Sequence, residues 1–413
     1  MTEERSLLIA GLVEGPDAAA ALVEVSASGT RVLAVVHQQS VDRVLHSAAF
    51  PSAALDACLD VAGRKPRDLD RIVVTNMTAL PRRWATLEAT RPAAGKALAQ
   101  LLRRTGAYRL VHDRAAARIE RWAAGAGFRA TVTTLEMDLA YAHLAYRTQT
   151  EDPVEIVVAG NTRDGGSVSL FDARNGQIDP MEEPPGLSAS DIGTLKKRLT
   201  ERRLPMVYAG PILDTLDPDD DTPRAPIIGH AAAALGAALW DAGSPPQPLP
   251  TLLLGPKFTS DAAYKALSNA AEPRNRATEP EILAAAQQHL NAGDTVAWAR
   301  GPAGAEADLL PSRALLGRAG PGRRLVVADP QARARPGDIV VTEPLLSALI
   351  ERAGPLYARP LVRAGEPAAL TPTDVVRMFR AERQASRADR APTLLILHDY
   401  LCVHEPSSPG NLS

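Results

Sequence analysis

Five stretches near the start of the chain decide the fold: SLLIAGL (6–12), DAAAALVEV (17–25), TRVLAVVHQQ (30–39), PSAALDACLDVAG (51–63) and RIVVTN (71–76). The first three are apolar runs separated by turn-forming residues, the pattern of three successive strands in a meander. The fourth carries apolar residues at helical spacing, enters behind Phe50-Pro51 and stops at Gly63, which predicts a helix. RKPRDLD (64–70) then leads into the fifth, a short β-branched strand. The predicted order is strand, strand, strand, helix, strand.

Further along, ALAQLLRR (97–104), the region 114–124 and EMDLAYAHLAYRT (136–148) read as helices, and PVEIVVAG (153–160) and GSVSLFD (166–172) as strands, with a hairpin turn at ARNGQ (173–177). A strand at PMVYAG (205–210) precedes the acidic, proline-rich loop LDPDDDTPRAP (216–226), and the Ala-rich helix GHAAAALGAALWDAG (229–243) closes at Gly243. SPPQPLP (244–250) is the linker expected between two domains, 1–247 and 248–413. The second domain reads as a separate α/β unit: helix 280–291, strand TVAWAR (295–300), strand RLVVADP (324–330), helices 343–353 and 371–381, and a final strand TLLILHDYL (393–401).

A length of 413 residues with 45% hydrophobic content gives ample material for two cores. Near balance of 46 basic and 48 acidic side chains, with 4% aromatics, argues against nucleic acid as a partner. The opening MTEERSLLIAGLVEG has too short an apolar run for a signal peptide or a membrane span, so no membrane partner is expected and the cytoplasm is the expected location. Cys58 and Cys402 stand in apolar contexts far apart and read as buried free thiols. No Gly-x-Ser-x-Gly elbow, complete P-loop or dinucleotide glycine fingerprint stands in a strand-to-helix context. His398 and Asp399, on the last strand, read as packing residues.

Several segments, in order along almost the whole chain, resemble the O-carbamoyltransferases of nodulation-factor and antibiotic biosynthesis. GPDAAAALV (15–23) resembles the family's Gly-His-Asp-Ala-Ser-Ala-Ala-Leu-Val opening. HQQSVDRVLHSAAFP (37–51) resembles its Glu-Glu-Arg run and the Arg, Lys-His and Phe-Pro that follow. IIGHAAAALGAALWDAG (227–243) looks like the Gly-Asp-Ala-Gly helix, GRAGPGRRLVVADP (317–330) like the Gly-Pro-Arg-Ala-Leu-Gly-Asn-Arg strand, and GEPAALTPTDVVRMF (365–379) with LLILHDYLCVHE (394–405) like the family's close. The resemblance implies an α/β chain with an actin-like N-terminal domain, whose first half has the strand order predicted above, and a threonylcarbamoyl-adenylate-synthase-like C-terminal domain. It implies ATP and carbamoyl phosphate as co-substrates and transfer of a carbamoyl group, through carbamoyl-adenylate, to a hydroxyl of a small molecule in secondary metabolism. Catalytic roles would fall on Asp17, His46 and Arg324, substrate contacts on Arg43, Arg313, Arg318 and Arg323, and a nucleotide contact on Gly210. The four C-terminal arginines read as crowding one Gly-rich loop, where planar guanidinium forks suit phosphate oxygens.

The family's metal needs two histidines with three residues between them on one helix and two carboxylates. Aligned on EMDLAYAHL, Met137 and Tyr141 occupy the histidine positions, Ala159 or Gly160 replaces one carboxylate and His230 the other. A metal would therefore need a rebuilt set drawn from His230, Asp164 and His143. At 3.6 residues per turn His143 lies about 200° around the helix from Tyr141, and a partly buried helix histidine is the plainer reading. After PMVYAG, Pro211 and Asp214 stand where a backbone donor and an amide are expected, and Gln38, Gln39 and Ser40 replace the acidic run. Three functions fit: a carbamoyl-transferring enzyme with rebuilt ligands; a catalytically degenerate homologue that binds or stabilises a complete carbamoyltransferase, in a homo- or hetero-oligomer; and a scaffold recruited to another acyl or adenylate chemistry.

Overall fold

The structure, a computed structural model, describes residues 6–75, 107–148, 152–160, 167–181, 204–210, 222–227, 229–243, 249, 252, 254–305, 313–318, 324–327, 339–340, 344–361, 371–386 and 391–404. It is mixed α/β, with three sheets among these residues. Two compact units divide the chain: Met1–Gln38, Ser47–Thr215 and Thr222–Pro248 form the first, and Gln39–His46, Leu216–Asp221 and Leu249–Ser413 the second.

In the first unit, β1 (Leu7–Val13), β2 (Ala19–Ser26) and β3 (Gly29–His37) form the antiparallel meander. The helical turn that follows, α1 (Gln38–Asp42), belongs to the second unit from Gln39 onward; back in the first unit, helix α2 (Ser52–Ala62) leads to β4 (Arg71–Thr75), which pairs parallel to β1. Helix α3 (Ala107–Gly125) precedes β5 (Thr131–Leu135), and the sheet order is β3-β2-β1-β4-β5. The strand-strand-strand-helix-strand order is thus as expected; β5 is an addition to it, and the helix expected at 97–104 lies outside the described residues. Helix α4 (Met137–Arg147) follows, then β6 (Val154–Gly160), β7 (Ser167–Arg174), β8 (Gln177–Pro180) and β9 (Met206–Ala209) in a second sheet ordered β8-β7-β6-β9. The turn between β7 and β8 holds Asn175 and Gly176 at φ 50° and 83°, the two left-handed residues of a type I′ hairpin.

Helix α5 (His230–Ala242) explains its own composition. It packs on β1, β2 and α4, and Ala231 through Leu239 are all buried. Ala and Gly let backbone meet backbone there. A Cβ on Gly11 of β1 would stand 1.8 Å from the Ala234 carbonyl oxygen, and one on Gly236 would stand 1.9 Å from that of Ala140.

In the second unit the elements are α6 (Ser260–Asn269), β10 (Asn275–Arg276), α7 (Glu279–Asn291), β11 (Thr295–Ala299), β12 (Ala314–Gly317), β13 (Arg324–Val327), β14 (Ile339–Val340), α8 (Pro344–Ala353), β15 (Leu356–Pro360), α9 (Pro372–Ala385), β16 (Pro392–Leu397) and β17 (Tyr400–Val403). They build one sheet ordered β10-β17-β16-β11-β12-β15-β13-β14. Strand alternation separates two cores: Val296, Trp298, Leu394 and Ile396 face α7 and α8, while Ala297, Ala299, Leu395 and Leu397 face α6 and α9. The segment 393–401, expected as one strand, is instead a tight hairpin. His398 adopts φ 56°, and Asp399 holds the turn by accepting from Ser260 Oγ, Arg276 Nε and the His398 ring. Those bonds to Asp399 replace the Asn-Gly chemistry such a turn ordinarily needs.

Helix α6 ends in a Schellman motif: the Ala271 N–H donates to Ser268 O at 3.0 Å and the Glu272 N–H to Leu267 O at 3.0 Å. Ala271 sits at φ 53°, where a Cβ is strained. Ala271→Gly is therefore expected to stabilise the second unit by about 1 kcal/mol, read as a rise in urea midpoint at unchanged slope.

Candidate functional site

In open α/β sheets, ligands sit beyond the C-terminal ends of parallel strands. In the first sheet those ends are Val13 of β1, Thr75 of β4 and Leu135 of β5, with Thr75 the register partner of both others. The chain leaving β1 runs Glu14-Gly15-Pro16-Asp17, with Gly15 at φ 104° and Asp17 at φ 61°. The Glu14 N–H donates to Thr75 O at 3.2 Å, and its carboxylate, 3% exposed, takes an ion pair from Arg118 of α3. Thr75 Oγ1 is fully buried and has no hydrogen-bond partner among the described residues.

The first residue of α5 closes this cluster. The His230 ring is hydrogen-bonded to the backbone of Pro16 and Asp17, and its Nδ1 has no partner among the described residues. Burial depresses the His230 pKa, with those bonds and the Asp17 charge opposing. A helix N-terminus likewise disfavours the cation, so His230 is a neutral imidazole at pH 7. The structure thus joins Asp17 and His230 with three residues that sequence reasoning missed: Glu14, Thr75 and Arg118. Two acids around Gly-Pro directly after an apolar strand were the available signal.

A second pair of groups lies where α4 meets β7. Ser169 Oγ donates to Asp138 Oδ2 at 2.7 Å, and burial raises the Asp138 pKa, with Glu136 repulsion adding to it. The Ser169 hydrogen bond works against that rise, and the net effect leaves Asp138 a stronger base than an ordinary exposed aspartate. Gly210, at the end of β9, has φ 102°, and a Cβ there would stand 2.4 Å from the Ala159 carbonyl oxygen of β6. Its glycine identity is explained by packing against the neighbouring strand.

The residues at the family's metal positions do not fit that metal. Met137 offers a thioether, Tyr141 is a buried phenol that is 1% exposed, and neither His143 nor His230 belongs to a cluster of three metal-binding side chains among the described residues. Asp164 lies outside the described residues. His143 is a core histidine at 6% exposure, its Nδ1 without a described partner, and burial followed by the Arg147 charge pushes its pKa down to about 3. Its folded pKa is depressed, so below about pH 6.5 the unfolded chain gains a proton that the folded chain refuses. Stability is expected to fall as pH drops from 6.5, by about 2 kcal/mol at pH 5. Denaturation of wild type and His143→Gln between pH 5 and 7.5 checks this, and the variant should show the flatter acid limb.

The other expected site residues scatter. His46, exposed at φ 52°, donates its backbone N–H to Gln39 Oε1 at 2.9 Å, and Arg43, at φ 64°, pairs with Asp374 at 3.3 Å within the second unit. The arginine cluster needs correction, because Arg313 and Arg318 flank β12 rather than share a loop. Five strand steps separate their Cα atoms by about 16 Å. Arg313 is fully buried, with its guanidinium 3.7 Å from the Phe258 ring centre and donating to the carbonyls of Arg300 and Gly301 at 3.2 Å. Arg318 is exposed and donates to Ala353 O and, at 2.6 Å, to Asn291 Oδ1. Arg323 and the side chain of Arg324, whose backbone is in β13, lie outside the described residues. Among the described residues no helix is long and apolar enough to cross a membrane.

No protein-family model matches this chain, and no curated protein matches it. Solved structures of the actin-like ATPase fold resemble it at low scores. They include YeaZ from Pseudomonas aeruginosa (14% identity, 59% of this chain and 99% of that one, TM-score 0.29) and an Aquifex aeolicus member of the Ppx/GppA family (13%, 51% and 68%, TM-score 0.25). Component A of the Acidaminococcus fermentans (R)-2-hydroxyglutaryl-CoA dehydratase is a third (12%, 57% and 97%, TM-score 0.27). At such scores the likeness carries no argument, and the description that stands on the chain's own strand pairing is a mixed α/β protein with three sheets.

Proposed function

We propose that this chain is a carbamoyltransferase-type protein of natural-product biosynthesis that has given up metal-assisted transfer and acts as a binding or stabilising partner of a complete carbamoyltransferase. The observation that carries the reading is α4, where Met137 and the buried Tyr141 stand in place of a histidine pair. Without those donors a metal cannot polarise a carbamoyl carbonyl there. The anion side points the same way, since Arg313 donates to two backbone carbonyls. In this reading the actin-like first domain and adenylate-synthase-like second domain persist as scaffold. Asp17 and Gly210 in the first unit, and His46, Arg43, Arg318, Arg323 and Arg324 in the second, are then residues kept from the family's motifs without the roles they would carry there.

The test is pyrophosphate release from ATP by the purified chain with carbamoyl phosphate, with and without added iron or manganese. Release no greater than an enzyme-free blank is expected. Robust carbamoyl phosphate-dependent release would overturn the degenerate reading in favour of the second one, a working transferase using ATP and carbamoyl phosphate. One observation favours that alternative: the raised carboxyl of Asp138 on the Ser169 hydroxyl is a ready base for an acceptor alcohol. Asp138→Asn should then abolish transfer.

A further inference from the structure

The hairpin of β16 and β17 brings a third constellation together in the second unit. Cys402 and His404 are two residues apart, so an extended chain turns both side chains to one face, whereas Val403 between them is exposed. Strand pairing sets Cys402 opposite Leu395, and the His404 N–H donates to Thr393 O at 2.8 Å, so both positions are fixed by the ladder. Glu272, 130 residues earlier, is delivered beneath them by the Schellman turn at the end of α6. Cys402 is fully buried and Glu272 is 7% exposed.

Three donor atoms converge there. His404 Nε2 lies 3.2 Å from Cys402 Sγ and 2.8 Å from Glu272 Oε2, and Sγ to Oε2 is 3.6 Å. In a catalytic relay the imidazole would offer one nitrogen to the thiol and the other to the acid. Here a single nitrogen faces both, which is the arrangement of three ligands around one point. Tetrahedral zinc, with Zn–S of about 2.3 Å and Zn–N or Zn–O of about 2.0–2.2 Å, sets its ligand atoms about 3.3–3.6 Å apart. The Sγ–Oε2 edge of 3.6 Å already matches, the Nε2–Sγ edge needs a few tenths of an ångström and the Nε2–Oε2 edge about half an ångström of expansion.

We propose that Glu272, Cys402 and His404 form a binding site for zinc, with the fourth position left to water. The ligand set selects the metal: thiolate with imidazole suits zinc over magnesium or calcium, which take oxygen donors. Binding replaces the Cys402 S–H bond by S–Zn and releases that proton to solvent. Burial and the Glu272 charge keep the thiol protonated without metal, its pKa pushed up to about 12. Uptake is therefore coupled to proton release. Glu272 keeps its other oxygen for Arg380, whose Nε is 3.4 Å from Oε1, and Phe379 lies against the His404 ring. The ion would staple the C-terminal hairpin to the end of α6.

The experiment is titration of the metal-stripped full-length chain with zinc, and with cobalt as a spectroscopic probe. One zinc per chain is expected, with a thiolate-to-cobalt charge-transfer band and a melting temperature that climbs with the logarithm of free zinc. Cys402→Ser should remove the band and weaken binding beyond the roughly 10–100-fold typical of losing an outer partner. Cys58→Ser should leave both unchanged. Arg380→Gln should tighten binding by about two- to fivefold, the range for a part-exposed ion pair. A folded wild-type chain that takes up no stoichiometric zinc would overturn the proposal, and so would a band that survives Cys402→Ser. Should Cys402→Ser fail to fold, His404→Gln and the wild-type titration decide on their own.

Discussion

Gly236→Ala is expected to destabilise the first unit by about 3 kcal/mol or more, a large effect for one methyl group. The new Cβ would meet the Ala140 carbonyl oxygen at 1.9 Å, its carbon at 2.7 Å and the Leu144 nitrogen at 3.2 Å, all of them backbone. No rotamer can relieve such a contact, so α4 and α5 must separate and lose the dispersion contacts of an interface buried on both sides. Thermal and urea denaturation followed by far-ultraviolet circular dichroism reads the loss. Gly125→Ala, where the added Cβ meets nothing within 4 Å, is the control and should be neutral to slightly stabilising. The variant also bears on the site. His230 is the first residue of α5, and its ring is hydrogen-bonded to the backbone of Pro16 and Asp17, so displacing α5 disturbs the loop after β1.

How much of this was legible in the sequence depends on the range of the interactions involved. The meander β1 to β3, α2 and α5 were legible because apolar period and closing glycines are local signals, and Gly63 and Gly243 do take the left-handed conformation. β5 was not, because TVTTL is mostly polar and only Leu135 is buried. β12 was missed for its length of four residues, and α6, with only Ala263, Ala266 and Leu267 buried, shows a thin apolar stripe. In the candidate sites, Asp17 and His230 were visible as residue types but their partnership was not, since it depends on how α5 meets the end of β1. Cys402 read correctly as a buried free thiol. Its neighbour His404 was within reach of a period-two reading, whereas Glu272 is positioned only by the turn at Ala271. The arginines misled for a related reason. Nearness in sequence suggested one anion-binding loop, but a strand between Arg313 and Arg318 carries them to opposite ends.

That correction has a measurable consequence at Arg313. Arg313→Met is expected to destabilise the second unit by about 2–4 kcal/mol, because it leaves the Arg300 and Gly301 carbonyls short of donors at about 1–3 kcal/mol each. The two carbonyls lie directly after β11, so losing their donor loosens the exit of a central strand. Met keeps the apolar stem that fills the space beside Phe258, so the cost of a cavity is small. It also removes a buried cation whose pKa burial pushes down to about 9, and that relief offsets part of the loss. Arg313→Ala forfeits the stem as well and should fall below Arg313→Met. An anion-binding arginine would behave in the opposite way, since removing a fork that points at a ligand leaves stability near wild type and abolishes affinity for the ligand. Urea denaturation paired with calorimetric titration of ATP and of carbamoyl phosphate separates the two roles. A destabilised variant with ligand behaviour like wild type places Arg313 in the core. A stable variant that has lost anion affinity would return it to the active-site machinery and, with it, much of the case for carbamoyl activation by this chain.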